Sequence, residues 1–481
     1  MPVAGSAAAR GDVGQVDHVG DADAVTDVAD VAVVGAGWAG LSASVRLVQA
    51  GRRVLVLDAA PAPGGRAREA QLDFGCGAVT LDAGQHLLVG AYRESLALAR
   101  LLHDGAPPVD RFALALRDTA GLDLRAARLP APLHLAVGLL RARGLAHAER
   151  VAMLRLMTGL RRDGWRAAQG ETVAQLLARL HQPGALSERL WSPLCMAALN
   201  TVPEQACAGA FAAVLRDTLG ATREASDFVL PRTTLGALIA APAEQWLRAR
   251  GARLHWGTTA RAIAPLAGGW RLHVGRGEPA IDAAQLVLAV PPHVAARLLA
   301  PMFPDAARPG SRVARLDEFA YDAITTVYLA WPAPRVPALP RWIMLRESAA
   351  RGEHGQWLFD RGRYGTQRIA AVVISARARL SETPVADVAA GIGRQVAAQL
   401  GVPLPAAMRT VTEKRATFRC TPDRPRIECD AFAADLPGLW LAGDYAWPDY
   451  PATLEGAVRS GRLAAELALQ RQDIARAAIT G

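Results

Sequence analysis

Between residues 31 and 58 the chain changes hydrophobic rhythm twice. Residues 31–34 are four consecutive apolar side chains, which predicts a strand buried on both faces. Residues 41–50 carry apolar positions at helical spacing, and Gly51 supplies a helix stop. Residues 54–57 are a second unbroken apolar run, with Asp58 at its end. The pattern predicts a βαβ unit with parallel strands.

Further along, residues 100–225 are rich in Leu, Ala and Arg and broken by prolines, which predicts a helical region. Residues 236–250 predict an amphipathic helix, and 251–256, 258–263, 270–274 and 286–290 predict strands, a return to α/β character. Alternating stretches at 324–331 and 369–375 predict a sheet within 313–415. Residues 439–441 predict a strand, followed by a helix from 454 to about 467. Residues 1–28 lack a basic start followed by an apolar core, so they are not a secretory signal and are expected to be a disordered leader; 471–481 are expected to be a tail. No apolar run reaches the roughly 18 residues of a membrane-spanning helix, so the protein is expected in the cytoplasm, soluble or on the inner face of the cytoplasmic membrane.

Composition narrows the classes. At 481 residues and 51% apolar content the chain suggests two or three lobes. Five scattered cysteines with no C-x-x-C pair suit a reducing compartment and argue against a disulfide framework or a zinc site; no metal is expected. The net charge is +9, but Lys414 is the only lysine, and no basic-aromatic reader motif for nucleic acid is present. A basic surface still favours anionic lipid.

The candidate chemistry lies at the ends of these elements. Gly35-Ala36-Gly37-Trp38-Ala39-Gly40 has the form G-x-G-x-x-G between strand and helix, and Asp58 follows Gly40 by eighteen residues. Gly35 suits a tight turn, Gly37 a close approach to a pyrophosphate, and Gly40 helix-on-strand packing. The helix N-terminus offers N–H groups to phosphate, and Asp58 accepts from a ribose hydroxyl. Gly64-Gly65-Arg66 permits close backbone approach beside a guanidinium that can face phosphate. In Gly84-Gln85-His86, Gln85 can contact a cofactor ring; His86 is either a proton carrier or a core histidine bonded to a carbonyl. Gly443-Asp444 follows a strand, and Leu454-Glu455-Gly456-Ala457 opens a helix whose N-terminus can stabilise negative charge. Residues 129–140 are unusually apolar and are followed by Arg141, Arg143, Arg150, Arg155, Arg161, Arg162 and Arg166. That suits an interfacial membrane helix, or a core helix with a solvated arginine face. A corner at Trp191–Leu194 and Asn200-Thr201 has no evident purpose in the sequence.

Together these stretches resemble the FAD-dependent amine oxidase and phytoene desaturase superfamily. Gly35, Gly37, Gly40 and Asp58 match its nucleotide motif, Gly64-Gly65-Arg66 its second glycine motif, and Gly443-Asp444 with Glu455-Gly456-Ala457 its C-terminal flavin motif. Asp82-Ala83-Gly84-Gln85-His86-Leu87-Leu88, Glu413-Lys414-Arg415-Ala416-Thr417-Phe418, Cys420-Thr421-Pro422 and 451–461 are most similar to the squalene-associated branch, the hydroxysqualene dehydroxylases of hopanoid synthesis. The resemblance implies an α/β, amine-oxidase-like two-domain flavoprotein. Its Rossmann-like FAD-binding domain is discontinuous (29–100, 225–312 and 415–470), and its substrate domain, mixed sheet plus helices, spans 101–224 and 313–414. It implies FAD held by Gly35, Gly37, Trp38, Ala39, Gly40, Asp58, Gly64, Gly65, Arg66, Gly84, Gln85, Ala260, Gly443, Asp444, Leu454, Glu455 and Ala457. It implies a hydrophobic polyisoprenoid substrate, with lipid contact and upstream squalene-pathway enzymes as partners. His86 is the candidate proton donor, with Tyr92, Tyr450 and Asp449 as alternatives. Carotenoid desaturation, amine oxidation and a non-enzymatic prenyl-lipid escort are the rival functions.

Overall fold

The computed structural model describes residues 25–480 apart from 76, 276–278 and 337. The predicted βαβ unit is present as β1 (Val25–Val34), α1 (Trp38–Gln49) and β2 (Val54–Asp58). β1 begins earlier than expected: Val25 to Val28 pair with the strand Ala280–Leu288, so this stretch is not leader, and residues 1–24 lie outside the described residues.

These strands sit in a seven-stranded sheet ordered Arg253–Trp256, β2, β1, Ala280–Leu288, Gly269–Val274, Ala260–Leu266. The strand Ala280–Leu288 serves two neighbours along one edge. Its first half pairs antiparallel with Gly269–Val274, and its second half pairs parallel with Leu439–Leu441. Five parallel strands therefore end together, and α/β ligands bind at such ends. Their apolar runs lie between helices, with Val31, Val33, Leu55 and Leu57 fully buried.

A second, antiparallel sheet of five strands runs Trp342–Met344, Trp357–Tyr364, Gln367–Ile374, Tyr321–Pro332, Ala407–Phe418. The last of these spans the domain boundary expected at 414/415, which therefore falls inside a strand.

The helical region expected over 100–225 is interrupted by three short strands, Val109–Phe112, Ala115–Arg117 and Asp123–Arg125, too short to leave a period in the sequence. The helix expected over 236–250 divides into a wide turn, Gly236–Ala240, and an α-helix, Ala241–Arg248, where Pro242 withholds an N–H from the regular ladder. The corner of unread purpose is a staple. Asn200, left-handed at φ 48°, accepts from the Ala376 N–H at 2.6 Å and donates to Thr417 Oγ1 at 2.9 Å, tying the helical region to the five-stranded sheet.

The C-terminal helix extends well past 467, through the expected tail, from Leu454 to Thr480. It packs on α1 at van der Waals distance. A Cβ on Gly461 would stand 2.0 Å from the Ala39 carbonyl oxygen, and Ser42 Oγ donates to the Val458 carbonyl oxygen at 3.0 Å. Gly461→Ala therefore isolates one contact. Alanine improves helix propensity by about 1 kcal/mol, whereas the backbone clash should cost about 1–3 kcal/mol. The expected outcome is a lower midpoint in denaturant; a midpoint at or above that of the wild type would refute the role given to this glycine.

Candidate cofactor and substrate site

The first turn of α1 is left open to a ligand. Gly35 turns at φ 105°, and a Cβ there would reach 2.3 Å from the Ala289 carbonyl oxygen. A Cβ on Gly40 would meet the Gly35 carbonyl oxygen at 1.8 Å. Both glycines are needed by the protein's own packing. Gly37 differs: its φ is an ordinary −68°, and a Cβ there would find no atom within 4 Å. The space over Gly37 is empty of protein, as a pyrophosphate approaching the backbone requires. No side chain caps α1, and it has no acid in its first turn, so the N–H groups of Ala39 and Gly40 face that space without a protein acceptor among the described residues.

Asp58 closes the far end. One carboxylate oxygen accepts from the Ala36 N–H at 2.6 Å and the other from the Ala60 N–H at 2.8 Å, which leaves lone pairs for a ribose hydroxyl. The Thr258 N–H donates to the Asp58 carbonyl oxygen at 2.9 Å, so Ala260, at the start of its strand, lies beside this end of the cleft. The Gly64 N–H donates to the Ala36 carbonyl oxygen at 2.9 Å, and a Cβ on Gly65 would be 3.1 Å from Gly37 Cα. The two glycine motifs therefore form one wall.

Three expected ligands already hold protein partners. Arg66 pairs with Asp444 at 2.7 Å and donates to the Ala416 carbonyl oxygen at 2.7 Å. Asp444 is buried, and its other oxygen accepts from the Tyr445 N–H at 3.1 Å. The Glu455 carboxylate caps the helix α2 (Arg93–Leu102). It accepts from the N–H groups of Glu94 and Ser95, from Ser95 Oγ and from Arg459 Nε. An acid fully removed from water needs such partners, so its side chain is not available to a cofactor. At the start of the C-terminal helix the N–H groups of Gly456 and Ala457 are taken by the Thr453 hydroxyl and carbonyl, which leaves those of Leu454 and Glu455.

The loop at 82–86 lies between the two sheets. The Tyr328 hydroxyl donates to the Asp82 carbonyl oxygen at 2.6 Å, and the Gln85 N–H donates to Thr326 Oγ1 at 3.3 Å, both from the strand Tyr321–Pro332. Gln85 Oε1 and Trp38 Nε1 are buried polar atoms with no protein partner, which a polar ring seated here would relieve. His86 Nδ1 lies 2.6 Å from the Gly84 carbonyl oxygen. A carbonyl only accepts, so Nδ1 carries the hydrogen and Nε2 is left for other work. Burial raises the Asp82 carboxyl above its ordinary range, against the pull of the Leu235 N–H and Arg361.

The alternative donors fare differently. Tyr450 is buried, with the Arg459 guanidinium 5.2 Å from its ring centroid, and burial pushes its phenol well up, as it does for Tyr92, Tyr321 and Tyr445. Each of these phenols keeps its proton. The Asp449 side chain is 82% exposed and paired with Arg426, so it cannot give a proton inside a dry tunnel. Sequence reading passed over Ser460, whose Oγ accepts from the Gly443 N–H at 2.9 Å, and Ala289, whose carbonyl lines the first turn. Neither residue type carries a signal.

Known proteins resemble this chain over most of its length. Residues 38–469 match the family described as flavin containing amine oxidoreductase. The chain is 31% identical over 452 residues to a hydroxysqualene dehydroxylase of Rhodopseudomonas palustris, covering 91% of this chain and 98% of the relative. It is 32% identical over 459 residues to one of Sinorhizobium fredii, covering 92% and 98%. Among solved structures, cyclohexylamine oxidase from Brevibacterium oxydans superimposes with a TM-score of 0.65 at 17% identity, covering 92% of this chain and 99% of that one. Putrescine oxidase bound to putrescine gives 0.65 at 15% identity, with the same coverage. At such identities the structures establish a shared fold.

The contrast between Gly37 and Gly40 is testable. Gly37→Val should fold with a near-normal far-UV spectrum and purify without flavin. Gly40→Val should lose soluble protein altogether. Flavin occupancy near wild type in Gly37→Val would show that the open space is not the pyrophosphate position.

Proposed function

The chain belongs to the flavin containing amine oxidoreductases, with the hydroxysqualene dehydroxylases among its relatives, and we propose on that footing that it converts hydroxysqualene to squalene. It is an FAD oxidoreductase. The observation that carries the reading is the likeness to two dehydroxylases over nine-tenths of the chain. The rest is consistent. Amine oxidases commonly place a lysine near the flavin from a strand of the substrate lobe; residues 313–345 contain none, and Lys414 is exposed.

The reaction balances as loss of hydroxide with a proton, as water, and gain of hydride at the carbon left behind. Bound and reduced, FAD supplies the hydride. The residues that would hold it are the α1 first turn with Gly37, the Gly64-Gly65 wall, Asp58, Gln85 and the N–H groups of Leu454 and Glu455. The chain's own task is to protonate the leaving hydroxyl in a water-poor site. His86 fits that role through Nε2. Because Nδ1–H is committed to Gly84, Nε2 can give a proton only from the doubly protonated ring. The substrate is a bilayer-soluble polyisoprenoid alcohol, so contact with membrane lipid and hand-over from the enzymes that make hydroxysqualene belong to the same reading. Among the described residues no helix is long and apolar enough to cross a membrane.

Acid precipitation should release FAD into the supernatant, since residues 439–461 contain no cysteine or histidine for a covalent link; flavin retained on the pellet would contradict this. His86→Ala should keep its FAD and spectrum and lose squalene formation by ~100-fold, the scale of a general acid. The active form is protonated, so the wild-type rate falls as pH rises, and that limb should be missing from the variant. Single-turnover reoxidation of the reduced protein with hydroxysqualene measures both. A variant within a few-fold of wild type with the same pH profile would move the acid role to Tyr450. Reoxidation with no squalene formed would overturn the dehydroxylase reading itself.

A further inference from the structure

Helix α3 (Leu133–Arg141) presents two unlike faces. His134, Gly138 and Leu139 are buried, and a Cβ on Gly138 would stand 2.5 Å from the Arg125 carbonyl oxygen, so that face is packed against the strand Asp123–Arg125. Leu133 and Leu140, seven residues apart and so on one face, are 54% and 70% exposed. Leu129 precedes them, and Val151 and Leu154 follow on α4 (His147–Arg162), all exposed. Five of the nine large exposed aliphatic side chains among the described residues thus fall within 26 positions of the chain, and three of them, Leu129, Leu133 and Leu140, lie on or next to α3.

The charges around this patch select its partner. Between residues 128 and 163 there are seven arginines and two acids, Glu149, which accepts from the Ala146 N–H, and Asp163, which pairs with Arg162 at 3.2 Å. Arg128 and Arg141 flank the leucines directly, and both are exposed. The strand beneath α3 adds Arg125, which with Arg117 and Arg341 lines a cleft of about 440 Å³, where the Arg341 guanidinium lies 4.4 Å from the Phe112 ring centroid. Asp123 is the acid facing Arg117 and Arg125. A second copy of the chain is disfavoured as the partner, because a two-fold contact would set the same arginines against one another.

We infer that this face docks on a bilayer of anionic phospholipid, with Leu129, Leu133 and Leu140 entering the acyl boundary and the arginines meeting lipid phosphate. The inference deepens the reading of a bilayer-soluble substrate, to which it gives a point of entry. Its test needs no substrate, so a protein that binds vesicles but makes no squalene would leave it standing.

The experiment is flotation of the FAD-loaded protein with vesicles of phosphatidylcholine alone and with 30% phosphatidylglycerol. Wild type should partition onto the anionic vesicles and detach as salt is raised. Leu133→Glu with Leu140→Glu should weaken partitioning at least tenfold while FAD content and thermal midpoint stay at wild-type values. Arg128→Glu with Arg141→Glu should remove the preference for anionic lipid. Leu404→Glu, an equally exposed leucine in another region, should bind as wild type does. Equal partitioning of wild type and the Leu133/Leu140 variant would overturn the inference. So would a concentration-dependent dimer in sedimentation that the same variant abolishes without any effect of lipid, since a second copy would then be the occupant.

Discussion

The site depends on one close contact between backbones. α1 and the C-terminal helix meet where Gly461 lies against the Ala39 carbonyl, with no side chain between them. The contact brings the start of the C-terminal helix to the first turn of α1, so two sets of unpaired N–H groups and two positive helix ends serve one cleft. Any residue larger than glycine would push the helices apart and separate the halves of the cofactor site. The strand Leu439–Leu441 reaches the same place by pairing with Ala280–Leu288, which extends the parallel sheet just far enough for Gly443 to emerge at its edge.

Around that contact, charge is used mainly to join segments distant in sequence. Arg66 connects the second glycine motif to Asp444 and to the carbonyl of Ala416, the latter in a strand of the other sheet. Glu455 anchors the C-terminal helix to the N-terminus of α2, where two N–H groups and a hydroxyl donate to a carboxylate whose charge Arg459 balances and which would be costly to bury alone. Residues that look like ligands in a motif can therefore act one step back, by fixing the backbone that meets the ligand. The loop at 82–86 obeys the same logic, since Tyr328 and Thr326 set its path and leave Gln85 Oε1 and His86 Nε2 uncommitted.

Much of this was legible in the sequence, for a physical reason. Hydrophobic runs of four residues, a glycine motif between strand and helix, and an acid eighteen residues on are local patterns, and local sterics and hydrogen bonding decide what they form. The βαβ unit, the strands at 253–288 and the turn at Gly443 follow from them. Gly35 and Gly40 also do what local reasoning assigned them, as turn and packing residue.

Side-chain direction and partner choice depended on tertiary structure. Residues 129–140 read as one apolar stretch, yet Leu139 is 6% exposed and its neighbour Leu140 is 70% exposed, because only the face against Asp123–Arg125 finds a partner. Asp449 and Tyr450 are adjacent in the chain, and one lies in water beside Arg426 while the other is buried beneath Arg459. Gly461 carried no more signal than any glycine in a helix until Ala39 was set against it across 422 positions. Sequence determined which elements form and what chemistry they can offer, because those follow from neighbours along the chain. The fold decided which of those groups are left free to meet a ligand, because that depends on partners brought in from elsewhere.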